Sequence, residues 1–189
     1  LNNALSKYQE VKERIPELID TYCKMGFAYI TVAEKLWQDD RWNDEVEMYL
    51  SDAASILDQA IQQINSNVNG KTDGNRLIAN SRCIISRISA LYNERKGNYS
   101  VAEGFFRQTL TDGDYAIHTA PNHPYGHMEA ATGYLAYSSF LLNHNRISEA
   151  KQIILTGLEI IKNAESFINS SIGFKDIREN LELNLTKCN

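Results

Sequence analysis

Proline is scarce, with only Pro16, Pro121 and Pro124 in 189 residues. Proline removes a backbone donor and clashes with the preceding helical turn, so its absence elsewhere leaves long helices easy to form. Cysteine is equally thin. Cys23, Cys83 and Cys188 make an odd count with no C-x-x-C pair, which argues against a disulfide-stapled domain and against a zinc site. No run reaches about 18 apolar residues, so no segment reads as a membrane span, and no signal peptide is visible. A basic excess is missing too: 19 Lys and Arg face 24 Asp and Glu, a net charge of -5. A nucleic-acid binder should carry a basic face. Phosphate-cradling glycine loops, nucleophile elbows and H-E-x-x-H are all absent. The chain opens on Leu1 rather than Met and is read as a fragment, so membrane contact would come only through segments missing from it.

What is there is helix. The composition, 43% hydrophobic and 23% charged, suits one packed domain or a short repeat array. Apolar residues recur at helical spacing almost throughout, and no period-2 stretch of strand length occurs. Leu18, Tyr22, Met25, Tyr29, Val32 and Leu36 form one i/i+3/i+4 stripe. Val46, Leu50, Ala53, Leu57 and Ile61 form a second, and Ile78, Ile85, Ile88 and Tyr92 a third. Pro16 suits a first helical turn, which ends a leading helix before it. "NSNVNGKTDGN" reads as a loop. "KGN" and "NHN" read as tight turns, and "TDGD" (111–114) reads as an interruption after a helix over about 99–110. The expected order is a leading helix (1–15), a hairpin (16–66), a loop (67–74), a hairpin (75–118), a hairpin (119–168) and a closing helix (174–186).

Three turn regions align as an internal repeat: "DDRWNDEVEMYLSDA", "KGNYSVAEGFFRQTL" and "NHNRISEAKQIILTG". Each has a polar turn and then a bulky residue, Trp42, Tyr99 or Ile147, expected to plug the hairpin. A small residue follows in the last two, Ala102 and Ala150, then a large apolar one, Phe106 and Ile154. In the first, Glu45 stands where the alanine belongs. The segment "ALYNERKGNYSVAEGFF" resembles the tetratricopeptide repeat through its Gly-x-Tyr-x-x-Ala core. "NHPYGHMEAATGYLAYSSFLL" resembles the kinesin-light-chain-like long subtype, whose first helix opens on His-Pro. The "NHPYGHM", "NRISEAKQI" and "DIRENLELNL" segments are similar to the C-terminal end of mitochondrial tetratricopeptide proteins of complex III assembly and of inner-membrane protease adaptors. The resemblance implies an all-α, right-handed α-solenoid of about three hairpins with a C-terminal capping helix. It also implies a non-catalytic scaffold or adaptor that binds a protein or peptide partner, without cofactor or nucleic acid. Its implied location is the mitochondrion, associated with the inner membrane, with the cytoplasm as the alternative.

The first helices of such hairpins line a concave groove. Counting back from the turns puts Phe27 and Glu34 there from the first hairpin. Ile84, Arg87 and Leu91 come from the second, and Thr132, Leu135, Ser139 and Asn143 from the third. This mixed lining lacks the Lys/Asn/Arg set that chaperone-binding members use to clamp a carboxylate, so a partner held by apolar contacts is expected. The competing reading is a metal-dependent enzyme. His118, His123 and His127 could be metal ligands, since the last two are four apart on one helix face, with Glu129 as a base. The same stretch also serves as a helix entrance, with Pro124 in the first turn and Asn122 or His123 as the cap. A third reading is a structural subunit whose groove is permanently filled by a neighbouring chain or by its own termini. Asp39, Asp40, Asp44 and Glu45 flank a turn without the spaced ligand loop that calcium requires.

Overall fold

A computed structural model describes residues 2–15, 18–39, 44–66, 71–165 and 172–188. Eight helices occur among the described residues, with no strand: α1 (Asn2–Arg14), α2 (Ile19–Gln38), α3 (Asp44–Ser66), α4 (Lys71–Arg95), α5 (Tyr99–Thr119), α6 (Pro124–Asn143), α7 (Ile147–Ala164) and α8 (Ile172–Thr186). The most extensive contacts join α2 to α3, α4 to α5 and α6 to α7. Each first helix also touches the next first helix, α2 to α4, α4 to α6 and α6 to α8. Each second helix touches the first helix that follows it, α3 to α4, α5 to α6 and α7 to α8. These contacts stack adjacent pairs into an all-α helical array of the solenoid kind. Helix α8 occupies the place of a further first helix and covers the last pair. Helix α1 packs on α2 alone among the described residues.

The two well-described turns are the same turn. Gly97 (φ 79°) and Asn145 (φ 57°) both occupy the left-handed region. Around them the backbone bonds repeat: Gly97 N–H donates to Glu94 and Asn98 N–H to Asn93, while Asn145 N–H donates to Leu142 and Arg146 N–H to Leu141. These bonds satisfy carbonyls that a helix end leaves open. Asparagine tolerates the left-handed region better than other non-glycine residues, so the third hairpin keeps the turn without its glycine.

The buried positions reveal the repeat's register. They are Ala102, Phe106, Thr109, Gly113 and Ala116 in α5, and Ala150, Ile154, Gly157, Ile161 and Ala164 in α7. In α3 the matching set is Val46, Leu50, Ala53, Leu57 and Ala60. Alignment on Trp42 is therefore one residue out: Glu45 is exposed and Val46 takes the small-residue position. Trp42 itself lies outside the described residues. Nor do the bulky turn residues plug the hairpins. Tyr99 is 52% exposed, lying edge-on to His144, and Ile147 is exposed as well. The fully buried Ala102 and Ala150 allow the close approach instead.

Two expected breaks are helical. The "TDGD" segment continues α5 to Thr119. A Cβ on Gly113 would stand 2.9 Å from Ala130 Cβ, so this glycine lets α5 and α6 close together and does not end the helix. Helix α4 starts at Lys71, inside the loop expected over 67–74. Farther along, Phe106 is fully buried and packs on Tyr137 and Phe140 at centroid distances of 5.4 and 5.0 Å. Full burial of such a side chain contributes about 1.5–3 kcal/mol. Glu103 ties three helices together, accepting from Arg107 Nη2 (2.8 Å), Arg146 Nη1 (2.8 Å) and Tyr137 Oη (3.1 Å). Those donors, Arg146 foremost, hold its carboxyl down at about 2.

Candidate partner-binding groove

The layer of first helices encloses a half-open cavity of about 700 Å³, within the range of ligand-sized sites. Ala4 and Tyr8 of α1 form one wall, and Cys23, Phe27 and Ala28 of α2 the next. Leu77, Asn80, Ser81 and Ile84 of α4 lie between these and Tyr125, Met128 and Glu129 of α6. The lining is mostly apolar, and two of its three aromatics are left out of the core: Phe27 is 57% exposed and Tyr125 56%, whereas Tyr8 packs against the core. At the rim Lys24 pairs with Asp20 at 2.6 Å. Asn80 is about nine-tenths buried, and its Oδ1 has no hydrogen-bond partner. An unmatched buried acceptor of this kind costs about 1–3 kcal/mol.

Beside the cavity, three successive first helices are pinned by one guanidinium. Arg87 Nη2 of α4 donates to Glu34 Oε1 of α2 and to Glu129 Oε2 of α6, each at 3.4 Å. The Arg87 and Glu129 side chains are 13% and 15% exposed, against 36% for Glu34. Burial pushes the Glu129 carboxyl above its ordinary range, and Arg87 opposes that push. The Arg87 Nε–H is buried without a partner.

The nine residues expected to line the groove divide. Phe27 and Ile84 line the cavity, and Glu34 and Arg87 form the adjoining clamp. Leu91 and Leu135 are half-buried and pack against the cores around Phe106 and Ile154. Thr132 Oγ1 donates to Met128 O at 2.8 Å. Ser139 Oγ donates to Leu135 O and accepts from Asn184 Nδ2 of α8 at 3.0 Å. Asn143 is exposed at the end of α6. Helix α8 thus occupies the inner side of α6 beyond Ser138, and the cavity lies nearer the N-terminal hairpins. Tyr8, Leu77, Asn80, Tyr125 and Met128 were not foreseen as groove residues. Leu77 and Asn80 continue the stripe of Ile84, Arg87 and Leu91 at helical spacing, within the helix already expected from 75.

The histidines build a joint. His123 caps α6, its Nδ1 accepting from Tyr125 N–H at 3.4 Å, and Pro124 occupies the first turn. His127 is buried, with Nδ1 3.3 Å from His123 O, and burial lowers its pKa. His118 is exposed in the last turn of α5. Among the described residues no group of three or more His, Cys, Asp or Glu is placed to hold a metal. No described helix is long and apolar enough to cross a membrane. No family model matches the chain, and neither a curated protein nor a solved structure does.

Proposed function

We propose that the chain is a non-catalytic helical-repeat scaffold, of the tetratricopeptide-like kind its repeat resembles, that holds a protein or peptide partner in this groove. The observation that carries the reading is the half-open apolar cavity of about 700 Å³ with two aromatic rings more than half exposed inside it. Exposed aromatics in a concave apolar setting are the usual anchors of a binding surface. The resemblance to mitochondrial repeat proteins extends the proposal to an assembly factor or protease adaptor. The test is affinity capture from cells making the intact protein, in parallel with Phe27→Asp and with Leu155→Asp. Leu155 is exposed on α7, a second helix of the array. Partners lost with Phe27→Asp and kept with Leu155→Asp support the groove. A partner set indifferent to Phe27→Asp refutes it.

A further inference from the structure

The two ends of the array are closed differently. Helix α8 packs on both α6 and α7. It buries Phe174, Leu181 and Asn184, and Asn184 Nδ2 donates to Ser138 and Ser139 of α6. Helix α1 packs on α2 alone among the described residues. From Asn3 to Arg14 no residue is fully buried: Leu5, Tyr8, Val11 and Lys12 are half-buried and the others are exposed. The grip of α1 is one stripe. Tyr8 packs against the core that includes Tyr22 and Cys23. Lys12 Nζ stands 5.3 Å from the centre of the Tyr22 ring, within reach of a cation–π contact. Ala4 and Tyr8 also face the cavity, with α4 and α6 across it. The helix is thus seated on one wall of an open space, where α8 is seated in a filled core.

We infer that α1 is a built-in strap: it holds the α2 wall of the groove from within the same chain and comes away, while the array stays folded, to admit the partner. This rests on the groove reading above. Segments open locally where few buried contacts hold them, and α1 lacks the fully buried residues that anchor every other helix. Once off α2, a helix of 13 residues is marginal alone in water, so release favours an unwound segment and a wider groove. The wall uncovered is that of Tyr22 and Cys23, each 4% exposed, one turn from the open Phe27. The strap therefore sets the apolar reach of the groove. Phe27 and Tyr125 are available at all times, and Tyr22 and Cys23 only when α1 is off.

Alkylation of the folded, intact chain with iodoacetamide, read cysteine by cysteine through peptide mass spectrometry, tests the strap. Burial pushes the Cys23 thiol up to about 11, so its reactive thiolate is reached by opening. Cys83 is fully buried, its Sγ 3.6 Å from Thr109 O of α5, and reads opening of the array itself. Cys23 should react at least about tenfold faster than Cys83. Tyr8→Asp should speed Cys23 by about a further tenfold, the weight of a half-buried aromatic, and leave Cys83 unchanged. Lys12→Ala should speed it about two- to fivefold, the weight of one exposed cation–π contact. Cys23 reacting no faster than Cys83 refutes an independent opening. So does a Cys23 rate indifferent to Tyr8→Asp, or a parallel rise at Cys83. Affinity capture then reads the role: Tyr8→Asp should raise recovery of the partners that Phe27→Asp loses. Recovery that falls or stays level overturns the strap and leaves the groove standing. A partner set indifferent to Phe27→Asp overturns the groove, and the role of the strap with it, whatever Cys23 shows.

Discussion

Replacing Arg87 by methionine keeps a long flexible side chain and removes the guanidinium that Glu34 and Glu129 share. The Glu129 carboxylate is then buried without that cation, and breaking a buried pair in this way costs about 3–5 kcal/mol. The lower figure applies here, because both contacts are long at 3.4 Å and Glu34 keeps access to water. For 189 residues the unfolding entropy near 60 °C is roughly 0.4 kcal/mol per kelvin. A loss of about 3 kcal/mol therefore lowers the melting temperature by about 7 °C. The deficit carries a pH signature. Burial already raises the folded pKa of Glu129, so charging it costs stability as pH rises from the unfolded value toward the folded one. Without Arg87 the folded pKa climbs further, so the deficit is largest at neutral pH and shrinks as the medium is acidified below about 4.5. Adding Glu129→Gln to Arg87→Met should restore most of the loss at pH 7. Urea unfolding of the wild type, both single variants and the double variant, at pH 7 and pH 4.5, measures every term. An Arg87→Met variant within 0.5 kcal/mol of wild type, or a deficit that grows on acidification, refutes the clamp.

Two further outcomes follow from the packing. Glu103 has a folded pKa held at about 2, below its unfolded value, so its stabilisation is present above pH 4.5 and is lost as pH falls from there toward 2. Solvent beside the exposed Arg107 screens the interaction, and Glu103→Gln should cost about 1–2 kcal/mol at pH 7. Acid titration of stability should flatten in this variant, and an unchanged acid profile would contradict the assignment. A Cβ on Gly133 would lie 2.6 Å from the Cγ2 of the fully buried Thr109. Gly133→Ala should cost about 1–3 kcal/mol by overpacking. Gly104→Ala in α5, with nothing within 4 Å, should stabilise by about 0.5–1 kcal/mol through helix propensity. Thermal denaturation of the pair reads both signs, and two changes of equal sign would refute the close α5–α6 approach.

The helices were legible because burial in each depends on a local period. Leu50, Leu57 and Val46 announce their face of α3 without reference to any other helix. The repeat itself was legible at the turns, where Gly97 and Asn145 impose the same backbone on different sequences. Register within the first hairpin was not, because Trp42 marks a turn while Val46 marks a contact, and only the packing against α2 says which one counts. The glycine of "TDGD" misled for a related reason. In one dimension it reads as a weak point, while its value lies in Ala130, which sits against it from another helix. The groove was the least legible feature. Phe27 and Arg87 are both inward-facing positions counted from a turn, and nothing local separates them. The difference is supplied by Glu129, 42 residues beyond Arg87, which recruits the arginine into the scaffold and leaves the aromatic exposed. Charged residues on a solenoid's inner stripe are the ones most readily taken up by neighbouring repeats, since each such side chain has two flanking helices from which a counter-ion can come. The side chains left over are then the apolar ones the core uses least, here Phe27 and Tyr125, each more than half exposed in the groove.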